Sequence, residues 1–112
     1  MLPDDTTRLR HLRGAAEQAL DFVVGRSRPD LDSDPMLSLA LTKLVEIIGE
    51  AAKQVSVETR VRFPGVPWSD AARTRDRLIH HYFDIDLDVL WQTVTVDLPQ
   101  LLTALGSADS QS

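Results

Sequence analysis

Apolar side chains recur along the first half of the chain with the period of an α-helix. Residues 6–24 carry one such stripe, and Gly25 follows it as a natural stop. The second stripe is stronger, because its apolar residues are spaced alternately by four and three positions. They are Leu37, Leu41, Leu44, Ile48, Ala51 and Val55. This spacing is typical of a helix that faces a bundle core, and Asp34 and Pro35 are its predicted N-cap and first residue.

A glycine interrupts the second helix. Gly49 costs about 1 kcal/mol relative to alanine inside a helix, so its position predicts that a neighbouring helix approaches closely there. We expect the second helix to fray near residues 56–59, and residues 26–34 to form a turn-rich connector before it.

Two further helices are predicted in the second half of the chain. The third starts near Trp68 and runs to about His80. The fourth begins near Asp86, and Pro99 inside its pattern should kink or restart it. No stretch alternates clearly enough to predict a strand longer than residues 94–96.

Short connectors between these helices predict an all-α fold, an antiparallel bundle of four to five helices. At 112 residues the chain has room for one domain. We expect residues 1–105 to form this single domain and residues 106–112 to form a flexible polar C-terminal tail.

Composition narrows the possible functions. The chain has no cysteine, which excludes disulfides, thiolate zinc sites and a cysteine nucleophile. No apolar run approaches the roughly 20 residues of a membrane span, and the first residues are acidic where a secretory signal is basic. We therefore expect a soluble, cytoplasmic protein with no membrane association.

The formal net charge of -5 conceals a basic segment. Residues 60–82 contain five arginines and only two acidic residues, a local formal charge of +3. Arginine suits bidentate contacts with phosphate groups. The same charges could equally belong to ordinary solvated helix faces.

Arg75 occupies an unusual position on the third helix. On a helical wheel it lies within the apolar face, between Ala71 and Ala72 on one side and Leu78 and Ile79 on the other. A lone guanidinium is costly to bury because it does not give up its proton. Arg75 should therefore pair with an anion, reach a cleft or meet a second subunit. The candidate anionic partners for a structural ion pair are Glu46 and Glu50.

The opposite face of this helix is polar and carries Arg73, Asp76, Arg77 and His80. Asp76 lies four residues before His80, so its carboxylate could accept a hydrogen bond from the imidazole and set its tautomer. An ordinary surface pair is the alternative. Arg75 and His80 point about 140° apart on a straight helix. Their convergence on one ligand needs a helix end or kink between them, or a second protomer.

The residues from Arg75 to Tyr82 read arginine, four residues, histidine, one residue, tyrosine. This motif resembles the signature of the HepT-like toxins of the HEPN superfamily. Three flanking stretches are similar to the same family: residues 47–52, residues 63–68, and residues 82–91 with 97–99. The likeness covers about residues 9–105.

The resemblance implies a HEPN-like helical bundle that dimerises through a helical face, with a cleft at the interface. It implies the toxin of a two-gene toxin–antitoxin module, partnered by an MntA-like minimal nucleotidyltransferase antitoxin. The activity implied is a metal-independent endoribonuclease that needs no cofactor and acts on RNA. By position, Arg75 and His80 match the catalytic residues, and Tyr82 matches the tyrosine to which the antitoxin transfers AMP. His81 falls on a variable position and receives no role.

These matches suggest a division of roles. His80 would be the general acid–base, Arg75 the phosphate clamp and Asp76 the residue that orients the histidine. Arg73 and Arg77 would steer the RNA backbone.

Two other interpretations stay open. The first is a non-catalytic nucleotide-binding or scaffolding module paired with the nucleotidyltransferase. The second is a plain structural bundle in which Arg75 pairs with Glu46 or Glu50.

Overall fold

Helices dominate the computed structural model, which describes residues 2–81 and 84–109. The seven α-helices of this part are α1 (Pro3–Val23), α2 (Asp30–Ser33), α3 (Pro35–Gln54), α4 (Val57–Arg62), α5 (Trp68–Leu78), α6 (Leu87–Gln92) and α7 (Leu98–Asp109). The predicted all-α bundle is confirmed. Within the described residues, no helix combines the length and the apolar character that crossing a membrane requires.

Helix α3 lies at the centre of the bundle, between α1 and α5. Its apolar stripe is buried along its whole length, as the spacing predicts. At Gly49 the backbone of α5 comes so close that a Cβ atom would lie 3.3 Å from the carbonyl oxygen of Ala71. The predicted close approach is confirmed, and it determines how α5 lies across the core.

The starts and stops of the first helices follow from local chemistry. Gly25 ends α1 with a φ of +74°, a conformation that glycine adopts without steric cost. The Asp34 carboxylate accepts a hydrogen bond from the Leu37 N–H at 3.2 Å, with Pro35 in the first turn. The connector also contains the short helix α2, which the sequence pattern did not predict.

Helix α4 corrects the prediction for residues 56–59. The chain does not fray there, because Ser56 begins a new helix and accepts a hydrogen bond from the Thr59 N–H at 3.3 Å. Both residues also bind Asp5, whose side chain is only 1% exposed. These hydrogen bonds hold the pKa of Asp5 below its usual value. The first turn of α1 is thereby joined to the start of α4.

The third helix is shorter than predicted. It ends at Leu78, and the next residues form strand β1 (Ile79–His81), which pairs antiparallel with β2 (Asp84–Ile85). Strands of three and two residues are too short to produce a readable alternation, and for this reason the sequence predicts none here.

Near Pro99 the helix restarts, which is one of the two predicted outcomes. Helix α6 runs into a π-helical segment, Thr93–Asp97, and α7 begins directly after it. Proline lacks the N–H for an ordinary helical bond, so widening of the preceding turn accommodates it. Helix α7 continues to Asp109. The predicted tail begins at residue 106, so its residues 106–109 are helical instead.

Candidate active site

Helix α5 is anchored at its start by a buried tryptophan. The Trp68 indole N–H donates a hydrogen bond to the Phe63 carbonyl oxygen at 3.1 Å. Ala71, Thr74 and Leu78 are buried on the same side of the helix. The charged side chains of α5 are thereby directed outward along its two flanks.

Arg75 is exposed, although the helical wheel places it within the apolar face of α5. Its side chain is 57% exposed, and its Nε atom lies 3.9 Å from Oε1 of Glu46. The small residues Ala71 and Ala72 bring α5 against Gly49, so Arg75 lies at the edge of the packed face and reaches over α3. Glu46, one of the two expected partners, does pair with it. The contact is loose and solvated, so the guanidinium remains available to a ligand.

His80 leaves the helix that carries Arg75. It lies on β1, half-exposed, with its Nε2 atom 3.8 Å from Oδ2 of Asp86. The four-residue spacing predicts Asp76 beside His80, but Asp76 stays on α5. In the described part of the chain Asp76 forms no ion pair with His80. The reason is the end of the helix at Leu78, which removes the one-turn spacing between the two residues.

Asp86 is held in place by three parts of the structure. Its Oδ1 atom accepts a hydrogen bond from the Val89 N–H at 3.1 Å and so caps α6. Its own backbone N–H donates to the Leu78 carbonyl at 2.8 Å. The remaining oxygen, Oδ2, faces His80. The helical pattern predicts Asp86 only as a helix start. The signal for its second role is its position as an N-cap aspartate shortly after the motif.

The end of α5 also changes the relation between Arg75 and His80. A straight helix would direct them about 140° apart. A helix end between the two residues is one of the two predicted ways to bring them together, and α5 ends between them, at Leu78.

The other arginines of the basic segment differ in their roles. Arg73 is exposed and lies 3.7 Å from Asp70, whereas Arg77 is exposed and forms no ion pair within the described residues. Arg60 instead donates to the carbonyl oxygens of Ala52, Lys53 and Val55 and closes the C-terminal end of α3. Arg60 is therefore structural, and the exposed basic surface of α5 consists of Arg73, Arg75 and Arg77.

The sequence model of the family described as ribonuclease HepT-like matches residues 12–107. The chain belongs to this family. Its relatives include a Caldanaerobacter subterraneus subsp. tengcongensis protein named "Putative RNase TTE0752", 38% identical over 83% of each chain. A Thermococcus cleftensis protein named "Probable ribonuclease HepT" is 43% identical over 64% of this chain and 66% of its own. A Methanocaldococcus jannaschii protein named "Putative RNase MJ1380" is 33% identical over 78% and 80%. No solved structure matches this chain.

The predicted HepT-like identity and HEPN-like bundle are thus confirmed. In this HepT-like protein the motif spans the end of a helix and the start of a hairpin, which separates its arginine from its histidine by a change of backbone direction. Tyr82, the predicted modified tyrosine, lies outside the described residues. The backbone of His81 belongs to β1 and pairs with Asp84.

Proposed function

We propose that this HepT-like protein is a metal-independent endoribonuclease that uses Arg75 and His80. The observation that supports the proposal best is the exposure of both side chains on either side of the end of α5, within a member of a ribonuclease family. An exposed cation and an exposed imidazole are the groups that phosphodiester cleavage without a metal requires.

The proposed reaction is attack by a ribose 2′-hydroxyl on the adjacent phosphate. The 2′-oxygen forms a bond to phosphorus, the bond to the 5′-oxygen breaks, and a 2′,3′-cyclic phosphate and a 5′-hydroxyl result. The 2′-hydroxyl loses its proton and the 5′-oxygen gains one. His80 transfers the proton at one of these oxygens, a contribution of about 10²–10⁴-fold, and water exchanges the proton at the other. Arg75 stabilises the charge that accumulates on the phosphate oxygens.

Asp86, and not the predicted Asp76, orients His80. An apo contact of 3.8 Å is longer than a hydrogen bond. Catalytic hydrogen bonds often shorten when the substrate binds. With Nε2 directed at Asp86, the other ring nitrogen, Nδ1, faces the substrate. Arg73 and Arg77 bind neighbouring phosphates, with a contribution that falls as salt increases.

A purely structural role for Arg75 is disfavoured by its surroundings. An exposed pair at 3.9 Å contributes about 0–1 kcal/mol in water. A contact this weak contributes little to the stability of the bundle, and it does not involve the histidine of the motif.

The cellular role proposed is that of a toxin in a two-gene module. It acts as a homodimer in which two such sites share one cleft, and an MntA-like nucleotidyltransferase antitoxin silences it by transferring AMP to Tyr82. Tyr82 lies two residues after His80 in the sequence, so AMP on its hydroxyl would add negative charge and bulk beside the substrate phosphate.

Cleavage is tested with purified, unmodified protein and RNA in the presence of EDTA. We expect cyclic-phosphate products from the wild type, and loss of at least 100-fold in rate for His80→Ala. His11→Ala is the matched control, because His11 is exposed on α1 and lies outside the motif. Equal rates for His80→Ala and the wild type would refute the catalytic assignment.

Silencing is tested by intact-mass spectrometry after incubation with the cognate nucleotidyltransferase and ATP. We expect a mass increase of one AMP on the wild type and none on Tyr82→Phe. An undiminished increase on Tyr82→Phe would exclude this residue as the site of modification. The mass of the native assembly reports separately on the dimer.

A further inference from the structure

A pocket of about 240 Å³ lies on the flank of α5 that bears Arg77. Its apolar walls come from Val45 and Ile48 of α3 and from Leu98 and Leu101 of α7. The π-helical segment closes one side. The pocket is smaller than the usual 300–1,000 Å³ of a drug-sized ligand site, which suits a single small ring system.

A threonine hydroxyl in this pocket has no hydrogen-bond partner among the described residues. Thr93 is 4% exposed and lines the pocket, yet its hydroxyl makes no hydrogen bond to any described group. Three other threonines in this half of the chain, Thr74, Thr95 and Thr103, each donate to a helical carbonyl. Every fully shielded side-chain polar atom among the described residues has a partner. The Thr93 hydroxyl must therefore reach open space, and the pocket is the space that it lines.

The rim of the pocket carries four exposed polar side chains, and one of them, Asp70, pairs with Arg73 at 3.7 Å. The other three have complementary chemistry. Arg77 supplies a cationic donor, Asp97 an anionic acceptor and Gln100 an amide that can do both. In the described part of the chain none of the three makes an ion pair or a side-chain hydrogen bond. Apolar walls with a few convergent and unpaired polar groups are typical of a small-molecule site.

We propose that this pocket binds the base of a nucleotide, with the base against the apolar walls. The Thr93 hydroxyl and Asp97 contact its polar edge, and Arg77 contacts its phosphate. Asp97 accepts hydrogen bonds only, so it favours the bases with an exocyclic amine, which are adenine, cytosine and guanine, over uracil. The choice of a nucleotide as the ligand rests on the proposed action on RNA.

The pocket is distinct from the candidate catalytic site. Arg77 and Arg75 are two residues apart on α5 and point about 200° apart around it. Arg75 faces Glu46, whereas Arg77 lines the pocket. The body of α5, about 10 Å across with its side chains, separates the two. The bound base therefore belongs to a free nucleotide or to a nucleotide of the RNA other than the one that is cleaved.

Binding is measured on the His80→Ala protein, which does not consume RNA, by calorimetry and by NMR chemical-shift changes. The probes are AMP, CMP, UMP and an adenine-containing RNA trinucleotide. We expect AMP and CMP to bind more tightly than UMP, with shifts centred on residues 93–101. Thr93→Val removes the hydroxyl at nearly constant volume and should weaken AMP binding about fivefold. Asp97→Asn should abolish the preference over UMP.

Thr103→Val is the matched control, because Thr103 is exposed on α7 and its hydroxyl bonds to the Pro99 carbonyl instead. If Thr93→Val fails to fold by circular dichroism, Gln100→Ala at the exposed rim replaces it with the same expected loss. Tighter binding of the trinucleotide than of AMP identifies RNA as the source, and the reverse identifies a free nucleotide.

The outcomes separate this proposal from the proposed function. Absence of shifts at residues 93–101 with any probe, or equal AMP binding by Thr93→Val and the wild type, would overturn the pocket assignment even if RNA is cleaved. Binding that depends on Thr93, in a protein that cleaves no RNA, would support the pocket and refute the nuclease.

Discussion

Replacement of Asp5 by alanine should destabilise this protein more than replacement of any exposed acidic residue. The Asp5 carboxylate is buried and accepts three hydrogen bonds from the start of α4. They come from the Ser56 N–H at 3.0 Å, the Ser56 hydroxyl at 2.6 Å and the Thr59 hydroxyl at 2.6 Å. Arg8 adds a cation at 3.9 Å.

The expected cost follows from these contacts. Hydrogen bonds to a charged group contribute about 1.5–3 kcal/mol each, and they are not additive when they share one acceptor. Alanine also leaves the buried Thr59 hydroxyl without its partner. We therefore expect a loss of about 3 kcal/mol in the free energy of unfolding at pH 7. For a chain of this length, this corresponds to a fall in Tm of about 12 °C.

The loss should depend on pH in a defined direction. The serine and threonine hydrogen bonds lower the pKa of Asp5 below its ordinary value of 3.8. A carboxyl group whose pKa is lowered on folding stabilises the protein fully above its unfolded pKa. This stabilisation disappears as the pH falls through the folded pKa. The wild-type advantage over Asp5→Ala should therefore persist down to about pH 5 and shrink below pH 4.

The assay is urea denaturation followed by circular dichroism at several pH values. Asp4→Ala is the matched control, because Asp4 lies in the same helical turn and is exposed; we expect a change within about 0.5 kcal/mol. A loss below 1 kcal/mol for Asp5→Ala at pH 7, or a difference that does not shrink in acid, would refute the reasoning.

Three further predictions test other contacts. Asp86→Asn keeps an equally good N-cap, so Tm should change by less than about 2 °C. We expect kcat to fall about tenfold while KM stays constant. A fall in kcat that comes with a clear fall in Tm would indicate a purely structural role. If Asp86 orients His80, the imidazole ¹⁵N chemical shifts should also differ between this variant and the wild type. Gly49→Ala gains helix propensity but forces a 3.3 Å contact with the α5 backbone, so we expect a net loss of about 1 kcal/mol in urea denaturation, and stabilisation would contradict the close approach. Arg60→Ala should lower stability by about 1–2 kcal/mol by freeing carbonyls at the end of α3; an altered salt dependence of RNA binding without loss of stability would place it in the basic surface instead.

Much of the fold was predictable because a long helix that packs on a core has apolar residues at regular spacing in its own sequence. The spacing of apolar residues predicted α1, α3 and α5, and local signals predicted the cap at Asp34 and the disturbance near Pro99. The short elements α2, α4 and the hairpin were not predicted, because four to six helical residues or a two-residue strand do not complete a recognisable period. Whether an isolated turn of helix forms depends on tertiary contacts such as those of Asp5 with the start of α4.

The sequence by itself determined the helical class, the close approach at Gly49 and the motif that carries Arg75 and His80. Only the tertiary structure decided where their side chains point and which acids they meet. A helical wheel assumes that the helix continues. Because α5 ends at Leu78, the neighbour of His80 is Asp86 and not Asp76. Periodicity records the preferences of one segment for burial, whereas an ion pair between segments depends on how the whole bundle packs.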